Sequence, residues 1–290
     1  MLKKDFPVYD VNSLPEFKKD DMLVCRFAPY FSIHENLREA HKHSFYHVML
    51  FTKGEGSHTI DFQSFPVKPY QMYFMVPGQV HSWQFEGEVD GYVLNFSVSF
   101  LQSLLLRPDY LEQFPFFNGG VNDAVIDLPE ALQPRMTGLF EDLLYERETA
   151  GRLSVNMVQT LMLQIFILTG RLCLDQAGPN TNSYSYILLK NFQKLIEKNY
   201  STLKLPKDYA GLLFITPNHL NSLCTGALGL SAGELIRNRI TLEAKRLLTN
   251  HSLTIAIIAA QLNFTDNSYF TKFFKKQTGL TPEEFRKGLK

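Results

Sequence analysis

Between residues 20 and 100 the chain alternates short runs of aromatic and β-branched residues with turn-forming segments. The interruptions are TKGEGS (52–57), QSFPVKP (63–69), VPGQ (76–79) and EGEVDG (86–91). Short apolar runs at this spacing predict an all-β sandwich or barrel. The period then changes. Within 129–150, Met136, Leu139, Phe140, Leu143 and Leu144 recur at helical spacing. Residues 152–174 repeat the pattern with Val155, Val158, Leu161, Met162, Ile165 and Phe166. Two adjacent amphipathic helices must bury their stripes against the β part, each other or a second subunit. QAGPNTNSYS (176–185) has no apolar period and reads as a linker. Helical periodicity resumes over 185–199, 206–213, 217–226, 231–249, 254–262, 267–277 and 282–288. The predicted organisation is a β domain at 1–128, a helical segment at 129–175, a linker at 176–185 and an all-α domain at 186–290.

Charge sharpens this division. The 290 residues carry no formal net charge, yet residues 184–290 hold 15 Lys+Arg against 7 Asp+Glu, a surplus of eight. The preceding residues carry the opposite imbalance, so the helical part is the candidate for a polyanionic partner. A hydrophobic content of 45% suits a globular protein with a substantial core. Cys25, Cys173 and Cys224 are far apart and lack CxxC spacing, as expected of reduced thiols in the cytoplasm. The longest apolar run, LMLQIFILTGRLCL, contains Gln164 and Arg171 and falls short of the roughly 18 residues of a membrane span. MLKKDFPVYD lacks the apolar core of a signal peptide. The expectation is a cytoplasmic protein with no membrane partner.

The basic part contains a repeat. TPNHLNSLCTGALGLSAGELI (216–236) aligns with DNSYFTKFFKKQTGLTPEEFR (266–286). Leu220 falls on Phe270, Gly229 on Gly279, Ser231 on Thr281 and Glu234 on Glu284. With a one-residue gap, Ala210 falls on Ala259, Leu213 on Leu262 and Ile215 on Phe264. Each copy reads as a short helix, a tight turn and a second helix closed by glycine. Thr216 and the Thr265/Asp266 pair suit N-caps, and Gly229 and Gly279 suit left-handed C-caps. Two helix-turn-helix units are predicted, joined by a helix over 231–249 about 28 Å long. In the second unit, Phe270, Phe273 and Phe274 form the buried face. Asn267, Ser268, Thr271, Lys272, Lys275 and Lys276 form a face suited to phosphates and base edges.

Residues 205–288 resemble the AraC/XylS family of bacterial transcription regulators. The match rests on IAAQLNFTDNSYFTKFFKKQTGLTPEEFRK and on the linker-helix stretch RNRITLEAKRLL (237–248). The resemblance implies sequence-specific binding to double-stranded DNA. It places Asn218, Asn221 and Ser222, with His219 beside them, at base-facing positions of the first unit. Asn267, Ser268, Tyr269 and Lys272 take those positions in the second, with Arg237, Lys275 and Lys276 on the backbone. Arg239 fits a backbone contact and a structural role equally. The first unit departs from the pattern, with Cys224-Thr225-Gly226 in place of Phe-Lys-Lys. The missing bulk is expected from Phe214 or the linker helix; the first unit should be the less stable and weaker binder, with neutral Asn and Ser groups reading bases, or else has lost direct DNA contact.

Family members often carry an N-terminal cupin-like barrel followed by dimerising helices. HKHSFYHVMLFTKGEGSHTI and YFMVPGQVHSW resemble that barrel. His41, His43 and His47 share one parity, so on a strand they share one face. By resemblance to metal-binding cupins, His41, His43 and His81 match ligand positions, and His47 stands where such cupins have a glutamate. Two readings compete for this face. Four histidines can hold a divalent transition metal such as Zn, Ni, Fe or Cu. The same face carries Phe45, Met49 and Phe51, with Trp83 and Phe85 on a later strand, which is an organic-effector lining. The second reading is preferred: a metal-free pocket of His41, His43, Phe45, His47, Met49, His81 and Trp83, with no cofactor and no catalytic residue. The function expected is a small-molecule-controlled transcription regulator, a homodimer through 129–174, with RNA polymerase as a further partner. The alternatives are a metal-binding cupin sensor or enzyme with a basic helical tail, and a scaffold that has lost DNA binding.

Overall fold

A computed structural model describes residues 7–10, 21–102, 110–176 and 184–289. It divides into two compact parts, a β-domain within Pro7–Gln176 and a helical domain within Ala177–Lys290. The strands are β1 (Val8–Tyr9), β2 (Met22–Arg26), β3 (His41–His43), β4 (Tyr46–Ile60), β5 (Gln63–Val67), β6 (Gln71–Met75), β7 (Val80–Phe96) and β8 (Val125–Asp127). The helices are α1 (Phe27–Ile33), α2 (Val98–Gln102), α3 (Gln133–Thr149), α4 (Ser154–Gln176), α5 (Tyr184–Asn199), α6 (Pro206–Leu212), α7 (Pro217–Leu228), α8 (Ala232–Leu248), α9 (Ile255–Gln261), α10 (Asn267–Thr278) and α11 (Pro282–Gly288). The expected linker falls mostly on 177–183, outside the described residues, while Gln176 and Tyr184 already belong to helices.

Three of the expected interruptions are not chain breaks. TKGEGS lies inside β4 and EGEVDG inside β7, and QSFPV forms β5. Only VPGQ separates strands as anticipated. β4 and β7 pair antiparallel along their length, with register shifts between Phe51 and Glu55. There the strands approach too closely for side chains. A Cβ on Gly56 would lie 2.2 Å from the Gln84 carbonyl oxygen, and one on Gly91 2.0 Å from that of Leu50. Gly56 and Gly91, which read as turn signals, are therefore paired strand residues on either side of an irregular stretch within two bent strands.

The bend is severe. His47 and His58 are eleven residues apart on β4, roughly 36 Å if straight. Yet their ring centroids lie 5.5 and 5.4 Å from that of His81. The sheet is thus rolled around an interior containing Phe45, Met49, Phe51, Ile60, Tyr73, Trp83 and Val93, closed in part by Phe27, Tyr30 and Phe31 of α1. The opposite face of the same strands presents Val48, Leu50, Met72, Phe74, Tyr92, Leu94 and Phe96 to α3 and α4.

α3 and α4 bury most of the predicted stripes, Met136, Leu139, Phe140 and Leu143 from one and Val158, Leu161, Met162, Ile165 and Phe166 from the other, while Leu144 is half-buried and Val155, in the first turn of α4, is exposed. By length and composition alone, Ser154–Cys173 passes for a membrane span, at a mean hydropathy of 1.2. The run LMLQIFILTGRLCL of this helix is shorter than such a span and is broken by Gln164 and Arg171. Its contacts with the sheet are those of a core helix.

The helical domain reproduces the repeat. α6–α7 and α9–α10 are the two helix-turn-helix pairs, and α8 packs into the shared core through Ala232, Ile236, Ile240, Ala244 and Leu248. At 17 residues α8 is about 26 Å long. Caps fall where the residue types demand. Thr216 accepts from the His219 N–H and Asp266 from the Tyr269 N–H, while Ser231–Glu234 and Thr281–Glu284 form capping boxes. Gly229 and Gly279 close α7 and α10 in the left-handed conformation.

Candidate functional site

The chemistry-bearing residues gather in two places, one in each domain. In the helical domain, the capped N-termini of α7 and α10 fix which residues face outward. Asn218, His219, Asn221 and Ser222 are exposed on α7, and Asn267, Ser268, Tyr269, Lys272, Lys275 and Lys276 on α10. Opposite them, Leu220 and Cys224, and Phe270 and Phe274, enter the core. This is the division a recognition helix requires, with donors outside and anchors inside.

Asn221, Arg237 and Arg239 also make contacts within the domain. Asn221 Oδ1 accepts from the Ala232 N–H at 3.2 Å, so it also caps the start of α8. Arg237 is partly buried, with its guanidinium beside Gly233. The ambiguity at Arg239 resolves towards structure. Its Nε donates to Glu197 at 2.7 Å and its Nη1 to Glu243 at 3.1 Å, and its guanidinium lies over the Tyr200 ring at 3.8 Å. Such a clamped arginine is committed to the fold.

Phe214 does not fill the space left by Cys224, because it is 96% exposed. Cys224 instead shares the core with Ala232 and Ile236 of α8, and burial pushes its thiol up to about 11. That thiol is a small core residue rather than a reactive one.

The second place is the interior of the rolled sheet. His41 and His43 come from β3, His47 from the start of β4 and His81 from β7, and all four are buried. His41, His43 and His47, of one parity, share that face as expected. A fifth member, His58, was missed. Its number is even, so simple alternation puts it outside. The register shifts between Phe51 and Glu55 reverse the parity, and His58 enters with Ile60. The glycines of TKGEGS were the available signal, read as a turn instead of a bulge.

Ring centroids lie 4.8 Å apart for His41–His43, 4.1 Å for His41–His81 and 5.0 Å for His43–His47. His41 Nδ1 donates to the Glu39 carbonyl at 2.8 Å, and His47 Nδ1 bonds to Asn95 Oδ1. His58 Nε2 bonds to His81 Nδ1 at 3.1 Å. Burial lowers His41 to about 4 and His47 to about 3, and holds His43, His58 and His81 well below the ordinary imidazole value. All five are neutral at pH 7. Phe45, Met49 and Trp83 line the same interior. The predicted effector residues all therefore lie in one buried interior.

An enclosed polar-and-aromatic interior in one domain and two outward-facing helix-turn-helix motifs in the other define a ligand-responsive DNA-binding regulator. Comparison with known proteins makes the class specific. Residues 27–165 match the AraC-like ligand binding domain and residues 209–288 the helix-turn-helix domain. The chain belongs to the AraC family of transcription regulators. It is 23% identical over 252 residues to the arabinose operon regulatory protein of Salmonella typhimurium, covering 84% of each chain. It is 25% identical over 256 residues to the uncharacterized regulator YfiF of Bacillus subtilis, covering 85% of this chain and 78% of that one. Among solved structures, ToxT from Vibrio cholerae O395 aligns with 93% of this chain and 99% of its own, at 14% identity and a TM-score of 0.43. That superposition is too loose to transfer residue roles.

Proposed function

We propose that this regulator reads an operator through α7 and α10 and that occupancy of the β-domain interior sets its operator affinity. The observation that carries the reading is the exposed polar face that each motif presents on its second helix: Asn218, His219, Asn221 and Ser222 on α7, Asn267, Ser268, Tyr269 and Lys272 on α10. Lys275, Lys276 and Arg237 supply phosphate contacts beside it. These side chains lie on the basic half of the chain, where the surplus of eight positive charges concentrates polyanions.

Control requires a ligand that distinguishes two states of the protein; equal affinity for both would shift nothing. The effector site is the histidine-lined interior. The molecule acts without catalysis, in the cytoplasm, as a homodimer. Tyr145, Leu153, Val155 and Met157 on and between α3 and α4 are exposed and apolar, which supports a dimer surface there. RNA polymerase is the partner through which a bound regulator changes transcription. Fluorescence anisotropy with genomic fragments over a salt series tests the central claim. A steep salt dependence with a sequence-specific excess is expected. Binding that is equally tight to every fragment would sink it. Sedimentation should give a dimer at micromolar concentration; a monomer both free and on DNA would refute that part.

A further inference from the structure

We propose that the histidine cluster in the β-domain is a divalent transition-metal site, with His41, His43 and His81 as ligands and His47 bordering the open coordination position. His58 and Asn95 act from behind, holding His81 and His47 in orientation. The proposal names the class of ligand for the interior read above as the sensing site. Its metal-binding claim stands on the geometry of this domain alone.

The donor atoms of His41, His43 and His81 lie within 4.8 Å of one another. His41 Nε2 and His43 Nε2 are 3.2 Å apart. Two nitrogens each about 2.0–2.1 Å from a tetrahedral ion are separated by about 3.3 Å, so this pair already has the spacing of one tetrahedral edge. Hydrogen bonds to carbonyl oxygens also fix the tautomers of His41 and His47. The Glu39 carbonyl can only accept, so His41 carries its proton on Nδ1 and presents an unprotonated Nε2. The Asn95 carbonyl oxygen does the same for His47, whose Nε2 has no partner. His81 is engaged at Nδ1 by His58, and its Nε2 has no partner either. A ligand imidazole held at its far nitrogen by a second group is the usual outer-shell arrangement of a metal site.

Stability points the same way. His43 Nδ1, His47 Nε2, His58 Nδ1, His81 Nε2, Trp83 Nε1 and Asn95 Nδ2 are buried without hydrogen-bond partners among the described residues. Native interiors rarely leave such groups together, because each forfeits its hydration. An ion held here uses the lone pair of His81 Nε2 and faces that of His47 Nε2, two of these six atoms; the Trp83 and Asn95 N–H groups lie outside its chemistry. The donor set contains no carboxylate. Neutral nitrogen ligands suit zinc, cobalt, nickel or copper and discriminate against magnesium and calcium.

The test uses the full chain, purified without a metal-affinity step and stripped with chelator. Zinc and cobalt are then added singly, metal per chain is measured by elemental analysis, and the cobalt form is followed by visible absorption. One ion per chain is expected, with cobalt bands of a four- or five-coordinate nitrogen site. His43→Leu and His81→Leu keep apolar bulk while removing the buried nitrogens, so both should fold by circular dichroism. Each should lose at least about a hundredfold in affinity, and His58→Leu about 10–100-fold. His251→Leu, in the helical domain, should bind as the parent does. Substoichiometric uptake by the stripped parent, or uptake that survives both His43→Leu and His81→Leu, overturns the site. Operator affinity measured on the same samples separates the two claims: metal bound with no change in operator affinity keeps the site and removes the sensor reading.

Discussion

The two helix-turn-helix motifs share a backbone plan and differ in what they place on it. Both have the left-handed turn, at Phe214 and Asn263, and both have the glycine C-cap. Their following helices, α8 and α11, both begin with capping boxes. Where α10 has Phe274, Lys275 and Lys276, α7 has Cys224, Thr225 and Gly226. Caps and turns therefore specify the fold of a motif, while the third turn of its second helix sets how firmly it is anchored and how strongly it holds phosphate. The contrast predicts a division of labour, with α10 supplying anchorage and charge and α7 supplying neutral base-edge chemistry.

The largest consequence is in stability. Phe274 is fully buried among Phe270 and Phe285. Phe274→Ala should cost about 3–5 kcal/mol through lost transfer energy and a residual cavity. Cys224→Ala removes one sulfur atom and should cost about 1 kcal/mol. Urea unfolding followed by the helical circular dichroism signal compares them. Equal losses would mean that the two motifs are anchored alike.

Next comes charge. Lys275→Ala with Lys276→Ala should lower the salt dependence of operator binding by about two in log–log slope and weaken binding about tenfold or more at physiological salt. Thr225→Ala, at the position matching Lys275, should leave the slope unchanged. A slope that moves with Thr225→Ala and not with the lysines would reverse the assignment.

A third prediction concerns Asn221, which carries two roles. Its Oδ1 caps the Ala232 N–H while its side chain stays exposed on the outward face of α7. Asn221→Ala should cost about 1 kcal/mol in stability and also reduce discrimination between operator and non-operator DNA. Asn218→Ala should reduce discrimination alone. Unchanged discrimination in both variants would show that α7 positions the protein without reading bases.

The helical domain was legible because its information is local. Caps, periodicity and C-terminal glycines lie within a few residues of what they specify, and helix ends came within one or two residues of the pattern. Arg239 was the exception: its partners Glu197 and Tyr200 lie about forty residues away, and spacing could not find them. In the β-domain the histidine face was legible at His41, His43 and His47, since alternation needs only neighbours. His58 was not, because a register shift between two distant parts of the chain decides its side. The same shift made TKGEGS and EGEVDG look like turns. Glycine signals a special backbone in both cases, and only pairing tells a bulge from a turn.

The smallest effect expected is a gain. Gly226 lies inside α7, and a Cβ added there meets nothing within 4 Å. Its φ is not positive, so alanine fits the conformation already adopted. Gly226→Ala should stabilise the helical domain by up to about 1 kcal/mol, because glycine gives up more backbone freedom than alanine on entering a helix. Operator affinity then decides why the glycine is there. If affinity is unchanged, Gly226 is a residue that α7 merely tolerates, and the weaker anchorage of the first motif has no functional purpose. If affinity falls as stability rises, α7 must loosen to fit the groove, and the first motif is an adaptable reader beside a rigid one. Gly226→Lys separates steric from electrostatic causes, since it restores the cation that α10 has at Lys276 while imposing the same backbone restriction.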